Sequence, residues 1–441
     1  MDATLPIAYV LPFAGLLLSL AILPQTAPRF WERRNAWVVA FWSLTFSFPY
    51  TVGHGALSSV HLHLDTFIND YLPFMILIAT LFTTAGGLYF TGGEPGNPLG
   101  NTLLLGLGVV LASLIGTAGA SLVMIRPVLR SISNRTHQAH TVIFFIFLVS
   151  NIGGSLTPIG NPPLFLGFLH GVDFLWPLFH CAGPMLLCTA ILLGAYFGLD
   201  TRYWRKERKH HHVDLQRLPL DVRGIGNVWI MIGIAATVLG TSLLAKFCPT
   251  FSISIPGQPP ILAGCADLLR DVILVALAFA SYFSTPHGVR EANEFSWTPV
   301  REVAVLFAGI FVTLIPLVEI LHAGASGPLA GLIAFVHTPL RVFWTAGLLS
   351  GFLDNAPTYL LFFHVVGGNA RHLMQEGTTL AALTCGASFM GAISYIGNAP
   401  NLLVKAIAVE NGVRMPGFLG YLVWSAAVLL PLFVLVGLIF F

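Results

Sequence analysis

Ser150-Asn151-Ile152-Gly153-Gly154-Ser155-Leu156-Thr157-Pro158-Ile159-Gly160-Asn161-Pro162-Pro163 is the stretch that decides the fold. It lies midway along the apolar run 140–172, where an uninterrupted helix would otherwise be expected. Proline removes a backbone donor and glycine lowers helix propensity, so the helix should unwind here. The segment Ile159-Gly160-Asn161-Pro162-Pro163-Leu164 returns as Ile396-Gly397-Asn398-Ala399-Pro400-Asn401, at an offset of 237 residues. At the same offset Thr117 maps to Asp354 and Ser121 to Thr358, so the polar centre and the break are 43 residues apart in both halves. An inverted-topology repeat is the simplest account of that shared spacing.

The surrounding composition says what such breaks are embedded in. Of 441 residues, 56% are hydrophobic and 9% charged, with a mean hydropathy of +0.81. A water-facing globule needs roughly 25% charged residues, so most of this surface faces lipid. The expected fold is an all-α polytopic membrane protein of about ten spans. These fall near 5–24, 36–51, 71–92, 140–172, 175–199, 225–246, 262–284, 302–322, 379–410 and 415–441. The run 5–24 has no basic flank before it and no cleavage site after it, and it reads as a retained span. Two further apolar stretches, 100–130 and 328–366, are interrupted at Gly116-Thr117-Ala118-Gly119-Ala120-Ser121 and at Leu353-Asp354-Asn355-Ala356-Pro357-Thr358. Arms of about a dozen residues cannot cross a ~30 Å core, so both read as re-entrant hairpins rather than paired spans with a tight turn.

Basic residues test the layout. With both hairpins returning to their own side, Arg29, Arg33, Arg34, Arg126, Arg130, Arg135, the seven of 200–224, Arg290, Arg301, Lys405 and Arg414 share one face. Lys246, Arg341 and Arg371 take the other, and Arg270 lies within a span. That bias places the loop 200–224 in the cytoplasm and both termini outside, in a bacterial inner (plasma) membrane. The halves are then 1–199 and 225–441, joined by the basic linker 200–224, whose His210-His211-His212 run reads as solvated chain rather than a metal site. A net charge of +2 gives no case for nucleic acid. The five cysteines show no CxxC or metal-ligand spacing, and four fall in apolar runs.

Unwound backbone at membrane depth survives only when buried in protein or lining a wet cavity. Helix ends, free carbonyls and the side chains of Thr117, Ser121, Ser150, Asn151, Ser155, Thr157, Asn161, Asn355, Thr358, Ser394, Asn398 and Asn401 therefore converge with Gly160 and Gly397 on a candidate site for a desolvated ion or small anion. The plainer alternative is a pair of packing kinks. Asp354 is the sharpest residue, since an ionised carboxylate at that depth costs roughly 3 kcal/mol. It is tolerated if it binds a cation, takes up a proton or alternates between them, and it also suits the N-cap of the second hairpin arm. A Na⁺ there would draw on Asp354, Asn355, Asn161 and Asn398. Arg270 and Asp271 are adjacent on one helix and are expected to need separate partners. Glu319 lies near a span end, and His63 and Asp65 in an outer loop.

At Ser150-Asn151-Ile152-Gly153-Gly154, Pro158-Ile159-Gly160-Asn161-Pro162-Pro163 and Leu353-Asp354-Asn355-Ala356-Pro357, the chain resembles the ion transporter superfamily over nearly its whole length. That group includes NhaD-type sodium/proton antiporters, the melanosomal P-protein, arsenite pumps, citrate carriers and divalent-anion/sodium symporters. The branch most similar is the bacterial sodium:proton antiporter or citrate-transporter-like set. The resemblance implies a homodimer, a sliding (elevator) transport domain, and Na⁺ and/or H⁺ as coupling ion with no other cofactor. Asn161 stands where antiporter-like relatives carry Asp, and Thr117-Ala118 where they often carry Asp-Asn, which leaves Asp354 as the lone acid. Cation/proton antiport centred on Asp354 is the leading expectation, with Na⁺- or H⁺-coupled carriage of citrate or another small carboxylate as the alternative. No HExxH or GxSxG pattern supports an enzyme.

Overall fold

The computed structural model describes residues 5–93, 96–208, 218–324 and 327–441; His210-His211-His212, Lys209 and Arg217 lie outside them. The chain is mostly helical, with two short two-stranded sheets. Among the described residues, seven helices are long and apolar enough to cross a bilayer: Ile7–Pro24, Ala56–Ala85, Pro98–Ile115, Ala182–Glu207, Gly226–Leu244, Thr298–His322 and Phe418–Phe440. Of the other expected spans, 140–172 and 379–410 are each two short helices around a break. The remaining two are the less apolar helices Pro28–His54 and Cys265–Ser284.

Proline sets many of the helix starts, because its missing N–H costs nothing in a first turn. Pro28–His54, Pro98–Ile115, Pro162–Leu169 and Pro339–Ser350 all begin this way. Asn97 caps Pro98–Ile115 by accepting from the Gly100 amide at 2.6 Å, several residues before the apolar run becomes obvious. The first arm of the leading helix pair is therefore 18 residues long, not a dozen, and its partner Thr117–Ser131 has 15. The two arms return to the same end, where the Ser131 hydroxyl donates to Asn101 Oδ1 at 2.9 Å. Gly116 makes the turn between them at φ +82°, a conformation that suits glycine. The second pair, Pro339–Ser350 and Asn355–Val365, has arms of 12 and 11 residues.

Two groups of helices assemble from these parts. One holds the segments up to Ala85 together with Gly226–Leu244, Cys265–Ser284 and Thr298–His322. The other holds both helix pairs, both interrupted helices, Ala182–Arg208 and Phe418–Phe440. Within the second group the packing is exchanged: Pro162–Leu169 lies on Asn355–Val365, and Ala399–Glu410 lies on Thr117–Ser131. The groups meet along Leu72–Ala85 and Thr298–His322.

Two expectations are corrected here. His63 and Asp65 do not sit in a loop but on the helix Ala56–Thr66. His63 is held there at 2.7 Å by both the Ser47 hydroxyl and the Ser59 carbonyl, contacts with no local sequence signal. Arg270 and Asp271 do not need separate partners: the Arg270 Nε donates to Asp271 Oδ1 at 2.8 Å and its Nη1 to Asp267 Oδ1 at 2.8 Å. The flexible arginine stem curls round the helix to reach both. Glu319 is exposed.

Basic side chains gather at one end and close the helix termini. Arg290 donates to the carbonyls of Thr83 and Ser281, each at 2.9 Å, near the last turns of two helices. Arg135, 4% exposed, pairs with the fully buried Asp200 at 2.8 Å and with Glu207, while Asp200 also holds His140 at 3.0 Å and Asn101 at 3.2 Å. Removing one member of a buried ion-pair set leaves an uncompensated charge. Arg135→Ala is expected to cost about 3–5 kcal/mol, read as a fall of several degrees in the melting temperature of detergent-purified protein. An unchanged melting temperature would show that the network does not anchor the first helix pair.

Candidate functional site

Both breaks are built around glycines that meet backbone to backbone. A Cβ on Gly154 would lie 2.6 Å from the Gly160 carbonyl oxygen, and one on Gly160 would strike the Gly154 carbonyl. At the second break a Cβ on Gly391 would lie 3.1 Å from the Gly397 oxygen, and one on Gly397 would lie 2.5 Å from the Gly391 oxygen. A larger residue at Gly154, Gly160 or Gly397 would force the backbone apart, and at Gly391 the fit is tight. The Thr117 amide then donates to Gly160 O at 2.8 Å, seating the tip of the first helix pair on the first break.

Most of the polar residues marked in the sequence hold this framework together. Asn151 Nδ2 donates to Asn401 Oδ1 and to Ile146 O, both at 2.8 Å, and its Oδ1 accepts from Asn398 Nδ2 at 3.2 Å. Asn398 also donates to Ser150 O at 2.7 Å, and Asn401 to the Gly391 and Ser394 carbonyls at 2.9 Å. This clasp joins the two halves of the chain. Ser121 and Ser150 pair through their hydroxyls at 2.9 Å, and Ser155 donates to Ile152 O at 2.9 Å. Thr157 donates to Ser113 O at 2.5 Å and Thr358 to Asp354 O at 2.9 Å, while Ser394 accepts from Ile396 N at 3.1 Å.

Five of the marked residues, Thr117, Gly160, Asn161, Asp354 and Asn398, line a cavity of about 100 Å³ between the two helix groups. Its far wall is apolar, with Phe74, Leu77, Leu81 and Phe307 on Leu72–Ala85 and Thr298–His322. Sequence reading missed this wall, because an apolar residue in an apolar span carries no distinguishing mark. Four helices begin at the cavity: Thr117–Ser131, Pro162–Leu169, Asn355–Val365 and Ala399–Glu410. Helix N-termini carry partial positive charge, and because Pro162, Pro163, Pro357 and Pro400 have no N–H, it is the helix dipoles more than free amides that face the cavity on the side of the breaks.

Within that frame Asp354 caps its helix, its Oδ1 accepting the Ala356 amide at 3.1 Å. Asn355 Nδ2 donates to Asn161 Oδ1 at 3.1 Å across the halves. Thr117 Oγ1, Asn161 Nδ2 and Asn355 Oδ1 are buried and have no hydrogen-bond partner among the described residues. Buried polar groups are normally satisfied, so these three atoms are unspent hydrogen-bonding capacity beside the cavity. One is a donor, one an acceptor and one a hydroxyl able to do either. Asp354 is the lone ionisable side chain among the described lining residues. Asp354 has the chemistry for a small cation and Asn161 Nδ2 with the helix starts that for an anion, while Asn355 lies next to the cavity and not among its lining residues.

A family model described as "Putative citrate transport" matches residues 2–441. A "46 kDa membrane protein" of Mycobacterium leprae (strain TN) is 24% identical over 358 residues, covering 77% of this chain and 78% of that protein.

The break geometry is directly testable. Gly160→Ala and Gly397→Ala are each expected to lower thermal stability by about 1–3 kcal/mol through forced backbone shifts. Gly194→Ala, on a helix face with nothing within 4 Å, should leave it unchanged or raise it. Equal melting temperatures for all three variants would overturn the account of the breaks.

Proposed function

The chain belongs to the family described as putative citrate transport, and on that footing we propose that it couples Na⁺ or H⁺ at Asp354 to the movement of citrate or another small carboxylate. It is a membrane transporter and not an enzyme. The observation that carries the finer reading is the pairing of four helix N-termini with one carboxylate at a single cavity. The helix starts and the open Asn161 amide favour a carboxylate group, with no lysine or arginine needed among the described lining residues. The acid of Asp354 and the open Asn355 oxygen favour a cation, which offsets the anion's charge so that the pair crosses the low-dielectric core together. Na⁺ would be held by Asp354 and Asn355 with help from Asn161 and Asn398.

A second reading is cation/proton exchange at Asp354 with no carboxylate, favoured by that residue's being the lone acid of the cavity. In either case we read the chain as two inverted repeats, 1–199 and 225–441, about the linker 200–224. The group holding the breaks would slide as an elevator along the apolar wall, within a homodimer in a bacterial inner membrane, linker inside and both termini outside. The apolar wall supports sliding, since its side chains make no hydrogen bonds to the moving group, and a tie to be broken lies at the rim, where Arg126 pairs with Glu294 at 2.9 Å. The shared charge of the rim around Arg126, Arg130, Arg135 and Arg290 supports the orientation.

Proteoliposomes separate the readings. Labelled citrate should accumulate under an imposed Na⁺ or pH gradient, and Asp354→Asn should cut the rate at least about tenfold, a barrier change of about 1.4 kcal/mol. Asn161→Ala should raise the citrate KM by about the same factor while retaining the fold. If Na⁺ collapses a pH gradient through the wild-type protein with no carboxylate present, exchange is the activity instead. If neither flux responds to Asp354→Asn, the site assignment fails.

A further inference from the structure

Outside the candidate site, the structure brings together two residues that sequence spacing keeps apart. Cys248 follows the helix Gly226–Leu244, and Cys265 opens the helix Cys265–Ser284. Between them the strands Thr250–Ile253 and Ile261–Gly264 pair antiparallel, Thr250 opposite Gly264 and Ile253 opposite Ile261. The ladder runs one step further at its base, where the Cys265 amide donates to the Pro249 carbonyl at 3.0 Å. Cys248 is the next residue along. Cys265 is the neighbouring group to the Cys248 thiol. Both are partly exposed, whereas Cys181, Cys188 and Cys385 are buried.

We propose that Cys248 and Cys265 form a disulfide that closes the base of this hairpin. The proposal rests on the orientation read above, in which the segment around Lys246 faces the outer, oxidising compartment where such bonds persist. The thiolate of one cysteine attacks a disulfide of an external oxidant, a protein or small-molecule disulfide, and displaces one of its sulfurs as a thiol. The second cysteine then attacks the mixed disulfide and releases the other. One S–S bond forms, the oxidant's S–S bond is reduced to two thiols, and the two cysteine protons end on those thiols. The bond ties the end of Gly226–Leu244 to the start of Cys265–Ser284, whose first turns carry the buried Arg270 with Asp267 and Asp271. It thereby braces the outer edge of the helix group that includes the apolar wall.

The test uses the full chain in its own membrane. Cells are quenched with N-ethylmaleimide, the protein is denatured and reduced, and newly exposed thiols are tagged with a second maleimide. Two tags are expected, at Cys248 and Cys265 by peptide mass spectrometry, and none at the remaining partner in Cys248→Ser or Cys265→Ser. A charged, membrane-impermeant maleimide added to intact cells should label the remaining cysteine in both single variants. Labelling confined to inside-out vesicles would overturn the orientation and the disulfide with it, while citrate flux at Asp354 stands or falls separately. Labelling from outside, with both wild-type cysteines already alkylated before reduction, would keep the orientation and overturn the disulfide.

Discussion

Backbone that leaves a helix in the middle of a bilayer must find every hydrogen bond within the protein, and this requirement organises the chain. At Gly160 and Gly397 it is met by bringing carbonyls and amides so close that no side chain fits between the glycines and their partners at Gly154 and Gly391. What then faces the space the break creates is the positive end of the helix that follows, carried by its dipole more than by free amides, because Pro162, Pro163 and Pro400 have no N–H. A region of positive potential at membrane depth thus arises from an interruption, with no basic side chain spent on it.

The second consequence is division of labour among polar residues. Asn151, Asn398 and Asn401 satisfy one another and the broken backbone, so they stabilise the break and leave little capacity for a ligand. Thr117, Asn161, Asn355 and Asp354 are less fully used. A transporter needs both kinds: a rigid frame to hold geometry, and a few open valences whose satisfaction depends on cargo.

Much of this was legible in the residues. Pro162-Pro163 and Ala399-Pro400 after Gly-Asn announce helix breaks wherever they occur in an apolar run, and the membrane class follows from the scarcity of charge. What escaped notice was whatever depends on reach or on neighbours distant in the chain. Adjacent helical positions diverge in direction, yet the Arg270 stem bends back to Asp271. His63 and Asp65 look like loop residues because the partner of His63 at Ser47 is invisible locally. Phe74 and Phe307 are indistinguishable from lipid-facing residues until the opposing surface is known. Cys248 and Cys265 share no motif; only the Pro249–Cys265 hydrogen bond at the end of a short ladder brings them near.

The contact between Asn151 and Asn401 spans 250 residues of chain. During synthesis, the first break must enter the bilayer long before its partner has left the ribosome. Over that interval its amides and carbonyls have no native company, and the half-made protein depends on water, on the insertion machinery or on transient pairing to shelter them. A nascent chain arrested near the linker would therefore be a quality-control substrate rather than a stable half-transporter. Assembly of this fold is set by the last third of the polypeptide.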